Sequence, residues 1–133
     1  MTRQRVRTGL QVLLTIVGCV ALVAGAVTLL FGAASIVGVE EPTPAVDSEM
    51  RFFAAWYTAA GVVLLRAIPN VERQAFLIRG IAVVFFVAGC ARGVSWIVVG
   101  EPPGVAKLLM VIELALPFVI IPWQTAVERA TQR

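Results

Sequence analysis

Apolar residues run along this chain in four long blocks, separated by short polar breaks. The blocks extend from about Leu10 to Val37, Phe52 to Ile68, Phe76 to Val99 and Val105 to Trp123. A helix crosses the hydrocarbon core of a bilayer in roughly 20 residues. Each block approaches or exceeds that length, the second only with help from its flanks. Backbone groups in lipid must be paired within the segment itself, so each block is predicted to be a helix. The pattern therefore predicts an all-α, integral membrane four-helix bundle, with residues 1–133 forming a single transmembrane domain.

The breaks carry turn chemistry. "VEEPTPAVDSEMR", residues 39–51, has two prolines and four acids and reads as a loop. Asp47 or Ser48 is placed to cap the second helix, with Glu49 in its positive first turn. "IPNVERQ" and "GEPPG" are the two shorter turns.

Charge then orients the pattern. Arg3, Arg5 and Arg7 precede the first block, and Arg66, Arg73 and Arg79 surround the second turn. Arg129 and Arg133 follow the fourth block. Four crossings put all of these on one side. The other side carries Glu40, Glu41, Asp47, Glu49 and Glu101 against Arg51 and Lys107. Basic residues favour the cytoplasmic side, so both termini are expected there. The net charge of +3 is topology information rather than a nucleic-acid footprint, and no nucleic-acid partner is expected. Ten of the 11 basic residues are arginine, a balance typical of GC-rich coding. The expected setting is a multi-pass protein of a bacterial cytoplasmic (inner) membrane.

Composition excludes several chemistries. A charged fraction of 14% is too low to clothe a soluble domain of this length. There is no histidine, and Cys19 and Cys90 both lie inside apolar blocks. The usual zinc, histidine-ligated haem and Cys-x-x-Cys signatures are thus absent. No Gly-rich phosphate loop or Ser/His/Asp set is present. No catalytic, cofactor-binding or metal-ligating residues are assigned, and no cofactor is expected.

"TRQRVR" before an apolar run also resembles a signal peptide, and "IVGC" a lipoprotein box. Neither is preferred. The apolar run is too long for a signal peptide, and further apolar sequence follows Cys19 where a lipoprotein has a polar tether. "SIVGVEEP" from Ser35 resembles "SWIVVGEP" from Ser95. Two duplicated hairpins explain this, but so does the common use of Gly, Glu and Pro at helix exits, which is preferred.

Small residues form a stripe on the first helix: Gly18, Ala21, Gly25, Thr28, Gly32 and Ser35. A second patch has Ala54, Ala55, Thr58 and Gly61. Such stripes let helices approach closely, where van der Waals contact supplies the attraction in lipid. Packing within the chain is the first reading. A surface for a membrane-protein partner or a second copy is the other.

The third block carries one arginine, Arg92, about two turns from its outer end. Glu113 sits at a similar depth in the fourth block, so a tight hairpin brings the two level. Either charge alone costs several kcal/mol in the membrane, whereas a pair facing inward is tolerable. Pro117 lacks the N–H that would bond the Glu113 carbonyl, which Arg92 is expected to take up along with the carboxylate. Ser95 and Trp96 are positioned to add donors. Asp47, Glu49 and Arg51 are expected at the outer rim of the same cluster. A clasp that fixes the hairpin and a site for a small polar molecule, headgroup or proton are both open readings, the clasp being preferred.

These same residues resemble a known family. "VDSEMRFFAAWYTAAG", "CARGVSWIVVGEPP" and "VIELALP" are similar to the bacterial family called domain of unknown function 4345. Asp47, Ser48, Glu49, Arg51, Phe52, Trp56, Tyr57 and Gly61 carry the first match. Arg92, Ser95, Gly100 and Pro102 carry the second, with Pro103 where the family often has His. Glu113 and Pro117 carry the third. The resemblance spans nearly the whole chain and implies a small four-helix membrane protein of unassigned activity. It points more faintly to the DoxX-like four-helix proteins.

The leading expectation is a non-enzymatic accessory or scaffold subunit of a membrane assembly, with the lipid bilayer as its constant neighbour. The alternative is a small carrier or sensor binding a polar ligand or lipid headgroup at Arg92 and Glu113. A lipid-modifying enzyme ranks third, because no nucleophile and base stand together.

Overall fold

The computed structural model describes residues 3–132, with side chains described for 4–130. Arg133 and the side chain of Arg3, both counted in the orientation argument, lie outside what is described. Four long helices make up the chain: α1 (Arg3–Phe31), α2 (Pro44–Ala67), α3 (Ala75–Val99) and α4 (Gly104–Gln132). Short 3-10 turns occupy Ala33–Ser35 and Ile68–Asn70. No strand occurs among the described residues. All four helices are long and apolar enough to cross a membrane.

Helix ends depart from the apolar blocks in instructive ways. α1 stops at Phe31, six residues before the block does, because Gly32 adopts φ 73. That left-handed conformation suits glycine, and it turns the chain into the 3-10 turn. α2 begins at Pro44, inside the stretch expected to be loop. Its cap is Thr43, whose Oγ1 accepts from the Val46 N–H at 3.3 Å, and not Asp47 or Ser48. Pro44 at the first helical position needs no N–H partner and has its φ already set. Asp47, rather than Glu49, is the acid of the first turn. α4 runs through Pro117 and Pro122 to Gln132, well past Trp123. Apolar length bounds a membrane span, but a helix continues for as long as its backbone bonds do.

The chain divides into two compact units, Val12–Ile68 and Met1–Gln11 with Pro69–Arg133. The first is the α1–α2 hairpin. A Cβ at Gly61 would lie 2.7 Å from the Leu22 nitrogen, and one at Gly25 2.7 Å from the Thr58 nitrogen. Backbone therefore meets backbone, which only glycine allows. Gly18, Ala21, Gly25 and Gly32 are all buried, and Thr28 is partly so. The small stripe of α1 thus packs on α2 within the unit. Ala54 and Gly61 join that packing, whereas Ala55 is exposed.

The second unit pairs α3 with α4 and adds the first turns of α1. A Cβ at Gly89 would lie 2.9 Å from Leu114 Cγ, so α3 and α4 also approach closely. Gly9 is covered by the Trp123 ring, and Trp123 Nε1 donates to the Val6 carbonyl at 2.9 Å. The two stretches of the faint repeat differ: Ser35 closes the turn after α1, while Ser95 lies within α3.

Candidate functional site

The seven residues expected to form one polar cluster fall into both units, and each unit holds its own ion pair. In the α1–α2 unit, Asp47 and Arg51 stand one helical turn apart on α2. Arg51 Nε donates to Asp47 Oδ2 at 2.8 Å. The free end of α1 receives the rest of this pair. Arg51 Nη1 donates to the Leu29 and Leu30 carbonyls at 2.7 and 3.1 Å. Asp47 Oδ1 accepts from the Ala33 N–H at 2.8 Å. The pair therefore satisfies both the orphan carbonyls of α1 and the first N–H of the turn that follows. Ser35 completes the corner, donating to the Gly32 carbonyl at 2.7 Å. Gly32 is fixed twice over, since a Cβ there would sit 1.9 Å from Asp47 Oδ1. Glu49 is exposed, and its side chain has no hydrogen bond among the described residues.

In the other unit, Arg92 of α3 and Glu113 of α4 form the pair that the hairpin register predicts. Arg92 Nε donates to Glu113 Oε2 at 2.8 Å. The two partners are unequal. The side chain of Glu113 is 5% exposed and that of Arg92 is 41% exposed. Among the described residues, Arg92 makes no bond to the Glu113 carbonyl that Pro117 frees, contrary to the expectation. A carboxylate is the stronger acceptor and takes Nε in preference to the carbonyl. Ser95 is exposed and does not join the pair. Trp96 is engaged elsewhere: the Lys107 ammonium lies 5.7 Å from its ring centroid. Lys107 also bonds Glu101 in the short turn between α3 and α4. That contact holds the Glu101 carboxyl below its ordinary range.

A third polar network in this unit escaped the sequence reading. Arg7 donates to Glu72 Oε2 at 3.2 Å and to the Pro69 carbonyl at 2.8 Å. Arg79 Nη2 bonds Glu128 Oε2 at 2.5 Å and Thr125 Oγ1 at 3.2 Å. Gln124 is fully buried and donates to the Val71 carbonyl at 2.7 Å. The signal for Gln124 was present. Glu113, Leu116, Ile120, Gln124 and Val127 are spaced by three or four and are all buried, so they form one face of α4. Ending the fourth helix at Trp123 hid that continuation.

These helices and pairs define a class: a small, all-α, multi-pass membrane protein whose intramembrane charges are matched within helix hairpins. The family model described as "Domain of unknown function (DUF4345)" matches residues 9–124. The chain belongs to that family. No curated protein and no solved structure matches it.

Proposed function

We propose that the protein is a non-enzymatic accessory or scaffold subunit of a membrane assembly in a bacterial cytoplasmic membrane. Both termini face the cytoplasm in this reading. The observation that carries it is the use made of the Arg92–Glu113 pair, which joins α3 to α4 at 2.8 Å. Its carboxylate is shielded and already engaged, so it is poorly placed as a general base. The Asp47–Arg51 pair likewise closes a helix end. Polar chemistry inside the helices is thus directed to holding hairpins together, while large apolar side chains such as Val84, Ile97 and Phe118 remain exposed.

Native mass spectrometry of the protein extracted with its surrounding lipid tests this reading. One protein species retained in fixed stoichiometry supports it. A chain that leaves the membrane alone, in every mild extraction, overturns it. A reporter fused after Arg133 tests the orientation and should be active only in its cytoplasmic form.

A second reading, a carrier or sensor of a polar ligand, is favoured by one specific observation. The guanidinium of Arg92 is partly exposed and uses only Nε.

A further inference from the structure

Arg92 is only partly satisfied. A guanidinium has five N–H donors in a planar fork. Here Nε–H is bonded to Glu113, and the two terminal amino groups have no acceptor among the described residues. The side chain is 41% exposed, so these groups reach the surface of the protein. Arg92 lies seven residues before the end of α3, roughly 10 Å along the helix. At that depth the surroundings are lipid rather than bulk water, and unbonded N–H groups there are costly. The fork demands an oxygen acceptor from outside the chain.

Its neighbourhood indicates which kind. Gly93 leaves the surface beside Arg92 open: a Cβ there would meet only Met110 Sδ, at 3.9 Å. One turn towards the end of α3, Trp96 lies under the Lys107 ammonium, which is itself paired with Glu101. Trp96, on the same face of α3 as Arg92, and Met110 of α4, the side chain nearest the Gly93 surface, supply apolar wall on both helices. An anionic oxygen group at the fork and an apolar body along the wall together describe an amphiphile. Two parallel N–H bonds from one guanidinium suit a phosphate.

We propose that the open fork of Arg92, with the surface over Gly93 beside it, binds the phosphate of an anionic lipid headgroup. This rests on the carrier or sensor reading and names its ligand. Glu113 acts here as a positioning residue. By holding Nε it leaves the fork facing outward, and it touches no ligand itself.

The test uses the full chain in a neutral detergent, titrated with dioleoyl-phosphatidylglycerol and followed by native mass spectrometry. Dioleoylglycerol, which lacks the phosphate, and inorganic phosphate serve as comparison probes. One phosphatidylglycerol should be retained per chain, dioleoylglycerol should not, and inorganic phosphate should neither bind nor displace the lipid. Arg92→Met with Glu113→Leu removes both charges without leaving either orphaned. Gly93→Leu keeps the ion pair and fills the open surface. Each should weaken lipid retention about tenfold or more, the loss expected for a bidentate charged contact, while melting close to the parent.

Equal retention of lipid by parent and variants overturns the proposal. So does equal retention of phosphatidylglycerol and dioleoylglycerol. Displacement by inorganic phosphate keeps the phosphate chemistry but overturns the lipid source. A co-purifying ligand without phosphate that is lost in the double variant overturns the proposal and leaves the carrier reading standing. If nothing bound depends on Arg92, both fall together.

Discussion

The two ion pairs solve different problems with the same two chemical groups. Arg51 and Asp47 share one helix, and their reach is spent on the backbone at the end of another. Arg92 and Glu113 sit on different helices and bond each other side chain to side chain. The first pair spends most of its capacity on neighbours that are fixed in place, two carbonyls, one N–H and one another, and leaves only Nη2 of Arg51 without an acceptor among the described residues. The second hides the acid and leaves part of the base unsatisfied. A pair whose bonds go mainly to backbone groups at a helix end behaves as structure, since those partners are fixed in place. A half-used pair keeps capacity for something outside the chain. The distinction lies in the count of open donors, and not in the presence of charge in the membrane.

The comparison can be broken most forcefully at Arg92. Arg92→Ala leaves Glu113 buried without its partner and should lower stability by about 2–4 kcal/mol, measured by thermal unfolding in detergent. The Arg92→Met, Glu113→Leu double variant should recover most of that loss, because a neutral matched pair leaves no orphan. If Arg92→Ala unfolds like the parent, the pair is no clasp.

In the other unit, Gly61→Val forces a branched side chain against the Leu22 backbone. It should cost about 1–3 kcal/mol by overpacking. Failure to see this would mean that α1 and α2 part easily. Gly32→Ala combines a left-handed φ with a collision against Asp47 and should lie in the same range, about 1–3 kcal/mol. Arg51→Gln removes the bonds to the Leu29 and Leu30 carbonyls and should cost less, about 1 kcal/mol. Hydrogen exchange of amides in residues 33–36 should rise in both of these variants. Exchange unchanged in Arg51→Gln would show that the corner holds without its guanidinium.

The smallest effect concerns pH. The Glu101 carboxyl is lowered in the folded protein by its bond to Lys107. Its contribution is therefore full above the ordinary value of 4.5 and fades as pH falls through the lowered one. Glu101→Gln should abolish this slight acid sensitivity, readable as a difference in melting between neutral and acidic buffer. The sign would have to be reversed if acid strengthened the parent relative to the variant.

Much of this is legible in the sequence. Four apolar blocks of membrane length gave four helices, because lipid leaves the backbone little choice. The Arg92–Glu113 register followed from the distance of each residue from one tight turn. The small stripe of α1 was readable because glycine spacing has few other uses in lipid. Helix ends were less legible. Pro42 and Pro44 look alike in the sequence, yet one lies in the loop and the other opens α2, with Thr43 between them as the cap. The role of Arg51 was hidden because its partners are backbone carbonyls, which every residue has. Arg7 and Arg79 served the orientation argument as mere charges, although both are bound to acids far along the chain. Long-range partners of that kind leave no local pattern.

The bond from Trp123 to the Val6 carbonyl spans 117 residues of sequence. A chain threaded into a membrane in order of synthesis presents Val6 well before Trp123. The α1–α2 hairpin has all the glycine contacts and capping bonds described for it as soon as Arg51 and Gly61 have been made. The opening turns of α1 must wait for Glu72 and then for the last helix. Synthesis therefore produces a hairpin with an unattached leading edge, and completion of α4 fastens it. A ribosome stalled before Trp123 should display a nascent chain whose first residues are still open to protease, while those around Gly25 are already closed.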